Sequence, residues 1–425
     1  MSERTAEDFS AAMRDAEYAG VDERERRHRR GRIWLFIFMI ATMIGIVALV
    51  ALLFNIVNMA FGYAVIVDKI DPESLAVGGV PLEELPKEDL IQILEDNLST
   101  GLIRRYESEI PFAERSRENV LELVNERVVD PTVEETWPLW DSLTRRSEIQ
   151  AIVAEEYPGG DLKFVSWIDS DFITQPQSDV PEDSGVRMAI LGSLGTIVIT
   201  IFFSFPIGVG AAIYLEEYAT DNWINRIIQT NINNLAGVPS IIYGLLGLAI
   251  FVRALEAFTS GRIFGVLEDP TTANGRTILS AGLTLGLLIL PLIIINAQEA
   301  IKAVPGSLRQ ASFGLGATKW QTVWNHVLPN AIPGILTGTI LAVSRAIGET
   351  APLVVVGAAT FLTQDPTGPF SKFTTLPIQI YQWTARPQGE FRNIAAAAIL
   401  VLLVLLLALN ASAVLMRNRF SRRLQ

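Results

Sequence analysis

Residues 299–350 read EAIKAVPGSLRQASFGLGATKWQTVWNHVLPNAIPGILTGTILAVSRAIGET. The stretch leaves one apolar run, crosses a polar, partly amphipathic loop and enters a second apolar run carrying Arg345 and Glu349. A loop of this kind is what a membrane protein offers to a soluble partner. An Arg inside an apolar span needs an anion, a carboxylate or water beside it. Both readings require the chain to lie in a bilayer.

The rest of the 425 residues agrees, since half are hydrophobic and crossing a bilayer takes roughly 17–25 mostly apolar residues. Six runs reach or approach that length: Ile33–Phe54 (continuing apolar to Val67), Met188–Leu215, Leu235–Val252, Ile278–Ile295, Ile332–Leu362 and Ile394–Met416. The first is far longer than the 7–15-residue apolar core of a cleaved signal, so it reads as a retained span. Cys is absent and His28 and His326 are the only histidines, which excludes disulfides and Cys- or His-rich metal sites.

Charge sets the expected topology. Six Arg (Arg24, Arg26, Arg27, Arg29, Arg30, Arg32) precede the first run, and Arg417, Arg419, Arg422 and Arg423 follow the last. The positive-inside tendency places both termini in the cytoplasm. Residues 68–187, with 28 acidic against 11 basic side chains, then lie outside, as do 253–277 and 363–393. Residues 216–234 and 296–331 lie inside. The acidity of one segment argues against nucleic acid as a partner.

The first 32 residues mix eight acids with eight Arg and read as a solvated tail, with the first span at 33–67. Three helical stripes follow: Leu90, Ile93, Leu94 and Leu98; Val120, Leu121, Val124 and Val128; Trp140, Leu143, Ile149, Ile152 and Val153. Pro81, Pro111, Pro131 and Pro158 separate them. The expectation is an acidic, mostly helical module over 68–163, then a membrane core over 164–425. Within the core, Pro206, Gly237-Val238-Pro239-Ser240, Gly282 and Gly286 predict close helix approach, or kinks lining a path.

In the 297–333 loop, Trp320, Val323, Trp324 and Val327 fall at i, i+3, i+4, i+7, one face of a helix. Thr318 is placed to cap it, and Leu328-Pro329 to stop it. Ser312 to Thr318 holds two glycines, Gly314 and Gly316, which allow a partner backbone close access.

At this point the residues resemble a family. Glu299-Ala300, Ser312, Gly316-Ala317-Thr318 and Leu328-Pro329 look like the EAA loop through which ABC-importer permeases meet their ATPase. Leu235 to Gly244 (LAGVPSIIYG) and Arg345 to Thr350 (RAIGET) resemble permeases of the phosphate-specific ABC transporter. Gly348 to Leu353, Leu376 to Tyr381 and the basic tail are similar to its PstA-type subunits. The likeness runs from about Phe164 to Arg423. The acidic segment before it departs from the family.

The resemblance implies an all-α membrane protein with six transmembrane helices and a type I ABC-importer permease core. It implies an ATP-driven phosphate importer in the plasma (inner) membrane with three partners: a PstC-type second permease, a PstB-type ATPase dimer and a PstS-type phosphate-binding protein outside. ATP-Mg would be held by the partners, with no cofactor in this chain. In keeping with that, no G-x-x-x-x-G-K-[ST] occurs. Permeation of another oxyanion, such as sulfate or molybdate, and ion-coupled secondary transport stay open as alternatives.

Arg345 falls about 13 residues into its run, roughly 20 Å at about 1.5 Å per residue, where a charge costs on the order of 2.5–3.5 kcal/mol. Glu349, one turn on, either neutralises it or holds it ready for an anion. Thr350 and Ser240 are the hydroxyls nearest these motifs, with Thr339, Ser344 and Thr284 as further candidates for the path. Glu216-Glu217 reads as interfacial. Gln379, Tyr381, Trp383 and Arg386 read as an interfacial belt or a docking surface for the binding protein.

Overall fold

The computed structural model describes residues 3–265, 274–358, 361–362 and 364–422, with the backbone alone for 3–27, 109 and 420–422. The side chains of Arg24, Arg26, Arg27 and Arg422, the loop residues 266–273 and 363, and Arg423 thus lie outside the described set. The chain divides into two compact units, 1–57 and 58–425.

Helix α1 runs from Glu3 to Ala60, and its stretch His28–Ala60 is long and apolar enough to cross a membrane. Phe36, Phe38, Leu49 and Phe54 are all exposed, as on a helix whose solvent is lipid. The span is shorter than expected at its far end, because Phe61–Asp68 is a strand, β1. The apolar FGYAVIV continues the hydropathy of the helix, so composition alone joins them. Its β-branched and aromatic content is the strand signal.

The acidic module is mostly helical, as expected, and its helices are joined by a small sheet that composition did not signal. After β1 come α2 (Lys87–Asn97), α3 (Thr100–Glu109) and α4 (Arg117–Val124), the last prolonged by a π-turn at Asn125–Val129. Then follow β2 (Pro131–Pro138), α5 (Leu139–Thr144), α6 (Arg146–Glu156) and β3 (Asp161–Ser166). The sheet is antiparallel in the order β2–β1–β3. The first two stripes close one small core around Leu90, Leu94, Val120 and Val124. The third splits: Ile149 and Val153 pack under the sheet against Val65, whereas Trp140 and Leu143 are exposed on the separate helix α5.

Past the short α7 (Ser170–Thr174), the membrane core begins with α8 (Arg187–Ile213), which carries Pro206 without breaking and ends in a π-turn, Tyr214–Tyr218. Next are α9 (Trp223–Ala236) and α10 (Ser240–Gly247), the latter continued by a π-turn to Ala254. The two limbs meet at 107°. The third expected span is therefore no straight helix, since Gly237-Val238-Pro239 breaks it. After α11 (Glu256–Thr259) comes α12 (Ile278–Lys302), then α13 (Gly306–Gly314) and α14 (Lys319–Thr322). A π-turn, Val323–Val327, leads into α15 (Leu328–Ile347), followed by α16 (Ala351–Val356), α17 (Leu376–Thr384) and α18 (Gly389–Arg422). Among the described residues five helices are long enough to span, and the bent pair counted as one makes six.

Helix α12 is the axis of this core, packed by α8, α9, α10, α15 and α16. Its Ala281, Leu285, Ile289 and Ile293 are buried almost completely. Small residues let α8 press in, as expected: a Cβ on Gly282 would lie 2.6 Å from Ile199, and one on Gly286 2.6 Å from Phe203.

Two expectations for the loop before α15 change. Leu328-Pro329 does not stop a helix, because the helix runs unbroken from Lys319 to Ile347. Proline lacks an N–H and crowds the turn before it; here it sits in the first turn after a π-turn, whose wider ring relieves both demands. The four-residue face also splits: Val323 and Val327 are buried, while Trp320 and Trp324 point outward and stack at 5.4 Å.

Candidate functional site

The two family-like motifs of the core both fall on helix breaks. LAGVPSIIYG spans the corner between α9 and α10, and RAIGET spans the end of α15 and the start of α16. The breaks meet in the fold: α10 packs on α16, and a Cβ on Gly244 would lie 2.7 Å from the Pro352 Cα. A break inside a membrane core leaves carbonyls without helical partners. At the α9 end the Tyr243 hydroxyl donates to the Leu235 carbonyl at 2.7 Å and closes the corner. Ala346, Ile347, Leu353 and Val356 bury the second break in the main core.

Arg345 is thus not mid-helix, as spacing from Ile332 suggested, but in the last turn of α15, with the chain turning at Gly348. The apolar run continued through Val354-Val355-Val356, and composition hid the break. Arg345 donates through Nε to Glu349 Oε1 at 3.3 Å. Its side chain is 49% exposed and that of Glu349 17%. The two terminal amino groups of the Arg345 fork have no partner among the described residues. Arg345 also lies close enough to Tyr243 to act on it electrostatically, which ties it to the other break. Ser240 opens α10 and Thr350 precedes α16, where the Thr350 carbonyl accepts from Leu353 and Val354.

The other candidate hydroxyls are spoken for. Thr339 donates to Ile335, Thr284 to Ser280, and Ser344 to Ile340 and to Asn410 on α18. Sequence reasoning missed a cavity of about 10 Å³ beside Ala346 and Ile347, lined by Ser193, Thr196 and Thr375. Thr196 and Thr375 are buried there with unpaired hydroxyls. It has room for one water and none for a tetrahedral anion. In α17, Gln379 and Trp383 are fully buried and belong to the core, neither belt nor docking surface. Tyr381 is exposed, and Arg386 covers the Phe391 ring at 4.2 Å.

The loop after α12 forms a second site. Glu299 lies exposed on the last turn of α12 beside Lys302, and Ala300 abuts Gly334 of α15. Ser312 bonds Thr322 at 2.8 Å, fastening α13 to α14. Gly316, at φ +81°, takes the left-handed turn between them, and Ala317 N donates to the Ser312 carbonyl. Thr318 caps α14 in a reciprocal box with Gln321. Outward stand Phe313, Leu315, Trp320 and Trp324, with Leu315 91% exposed.

What the sequence did not reveal is how this loop is held. Arg309 on α13 places Nε and Nη2 on Glu217 Oε1 at 3.0 and 2.7 Å, and also donates to the carbonyls of Val304 and Ile301. Glu217 is 9% exposed and Arg309 21%. Glu217 is therefore an anchor rather than an interfacial charge. Its neighbour Glu216 accepts from Gln298 and pairs with Lys302 at 3.3 Å. The available signal was two acids just past an apolar run opposite one Arg in a polar loop.

Known proteins resemble this chain. Residues 204–425 match the family described as binding-protein-dependent transport system inner membrane component. A probable ABC transporter permease protein of Bacillus subtilis (strain 168), YqgI, is 32% identical over 263 residues, covering 58% of this chain and 83% of its own. The phosphate transport system permease protein PstA of Yersinia pestis is 33% identical, over 53% of this chain and 70% of its own. PstC of Pasteurella multocida (strain Pm70) is 35% identical, over 46% and 63%. Among solved structures, the MetNI methionine ABC transporter aligns at TM-score 0.42 and 18% identity, covering 55% of this chain and 95% of that one. A bacterial alginate ABC transporter aligns at 0.43 and 18%, covering 67% and 91%. This chain belongs to the family of binding-protein-dependent transport system inner membrane components, as a multi-pass permease subunit of an ABC importer.

Proposed function

We propose that this chain is the PstA-type subunit of an ATP-driven phosphate importer. The observation carrying the reading is the Arg345 fork, held through Nε by Glu349, with both terminal amino groups without a partner among the described residues. A planar guanidinium presented this way matches two oxygens of a tetrahedral anion. Relatives named for phosphate transport support the choice of anion. The Glu349 carboxylate adds a reason for phosphate over sulfate or molybdate. At neutral pH phosphate retains a P–OH that can donate to an ionised carboxylate, and the other two have no hydrogen to offer.

In this reading both termini are cytoplasmic and residues 68–187 are outside. The α13–α14 face meets a partner ATPase dimer that binds ATP-Mg, the second permease closes the path, and a phosphate-binding protein docks outside. Motion of the ATPases, transmitted through Arg309 and Glu217, would rock the helix breaks around Arg345. The test is uptake of labelled phosphate by the assembled transporter in cells lacking other phosphate importers. Uptake should persist against excess sulfate and molybdate. Inhibition by either at equal concentration would refute phosphate as the substrate.

A further inference from the structure

Arg253 and Arg276 open into one cavity at the end of α12 away from the loop that carries Arg309. Arg253 lies in the π-turn that ends the α10 limb, and Arg276 two residues before α12 begins. With Leu248, Val252, Glu256 and Asn274 they line a space of about 370 Å³. Gly275 brings the two together. At φ +75°, it passes so near Val252 that a Cβ would lie 2.6 Å from the Val252 carbonyl. Neither guanidinium has an ion-pair or hydrogen-bond partner among the described residues. Glu256, the single carboxylate among the described lining residues, is engaged by Arg262 at 3.4 Å. Among the described lining residues the positive charge is therefore uncompensated.

We propose that this cavity is an outer capture site for a hydrated tetrahedral oxyanion, a proposal that rests on the reading of the chain as a phosphate permease. Each free fork suits an oxygen pair. The space is far larger than a bare tetrahedral ion and holds it with much of its hydration shell, so binding is weak and exchange fast. Its position gives it a use. The Arg276 stem crosses Gly357, where a Cβ would lie 2.5 Å from Arg276 Cδ, and Gly357 directly follows α16. The other end of α16 adjoins Glu349, which holds Arg345. Six residues of helix measure about 9 Å, close to one Debye length at physiological salt. The outer pair and the inner Arg thus adjoin opposite ends of α16, and their like charges together draw anions toward the break.

The experiment is equilibrium binding of labelled inorganic phosphate to the full permease–ATPase assembly in nanodiscs, without binding protein. Arg253→Gln with Arg276→Gln should weaken binding about five- to tenfold at low salt, shrinking below about twofold at high salt. Glu256→Gln, which removes the one carboxylate among the described lining residues, should tighten it. Lysine at both positions keeps the charges and should keep most of the affinity, which guards against a variant that merely misfolds. Unchanged binding in the double Gln variant would overturn the site and leave the two arginines as interfacial anchors. Loss of binding-protein docking with phosphate binding intact would overturn it in favour of a protein contact. If the wild-type assembly neither binds nor imports phosphate, the functional reading falls and the capture site with it. Normal import with wild-type binding in the Gln pair sinks the capture site alone.

Discussion

Arg309→Met should uncouple the loop from the membrane core without dismantling the core. Arg309 makes two bonds to one oxygen of Glu217 and two more to the carbonyls of Ile301 and Val304. Methionine fills similar space but leaves Glu217, only 9% exposed, buried without its cation. Removing one partner of such a pair costs on the order of 3–5 kcal/mol. The core packs around α12 and does not depend on α13, so the strain is relieved most cheaply by α13 swinging away. At about 1.4 kcal/mol per tenfold change, the balance between seated and unseated loop shifts by roughly 10²- to 10³-fold. In proteoliposomes with the partner ATPase and binding protein, transport should fall at least tenfold, and the ATP hydrolysed per solute should rise. Protease should reach the 306–327 segment while helix α12 stays protected. Glu217→Gln combined with Arg309→Met should regain part of the lost stability, since no buried charge is then stranded. Wild-type transport and loop protection in Arg309→Met would refute the anchor. So would strict additivity of the two substitutions, to within about 0.5 kcal/mol.

Arg345→Ala should lower uptake about ten- to hundredfold, as the loss of a charge-assisted contact of about 1.5–3 kcal/mol implies, with Arg345→Lys between it and wild type; rescue of Arg345→Ala by Glu349→Gln would instead mark the pair as scaffold. Gly316→Trp should weaken ATPase association, measured by co-purification, because φ +81° strains any side chain there and the bulk stands beside the exposed loop face. Labelling of residues 68–163 by an impermeant reagent should occur only from outside, and labelling from the cytoplasm would reverse the topology. Burial pushes the carboxyls of Glu182 and Asp183 up from their ordinary values. The folded chain therefore binds more protons here than the unfolded one, and its stability should rise as pH falls from neutral toward about 4.5, the ordinary value for Glu. Glu182→Gln with Asp183→Asn should flatten that slope in thermal unfolding followed against pH.

The membrane core was readable because its signals are long and redundant: apolar runs set the helices, and separated motifs fell in the right order. The cap at Thr318 was legible for a different reason, being local, while its reciprocal bond from Gln321 came only with the structure. What escaped was every feature in which hydropathy stays constant while geometry changes. The run through Phe61–Val67 is as apolar as a span, yet it is a strand, and Val354-Val355-Val356 conceals the turn at Gly348. Pairings far apart in sequence were also invisible. Glu217 meets Arg309 across 92 positions and Arg276 meets Gly357 across two spanning helices. No local pattern records such a contact.

The middle strand of the acidic module has a consequence for biogenesis. β1 is the first of the three to leave the ribosome, yet both its neighbours lie far downstream, with Phe61 facing Ser166 and Gly62 facing Pro138. Until about seventy more residues have been made, β1 is a bare apolar ribbon with two unpaired edges, and until about a hundred it keeps one, open to pairing with other chains. The acidic helices emerge in that interval, and their repulsive charge is the shield at hand. A cut at 68–163 would remove β2 and half of β3 and leave β1 without a complete partner on either edge. Excising the module without misassembly therefore calls for a deletion that begins at Phe61 and ends beyond Ser166.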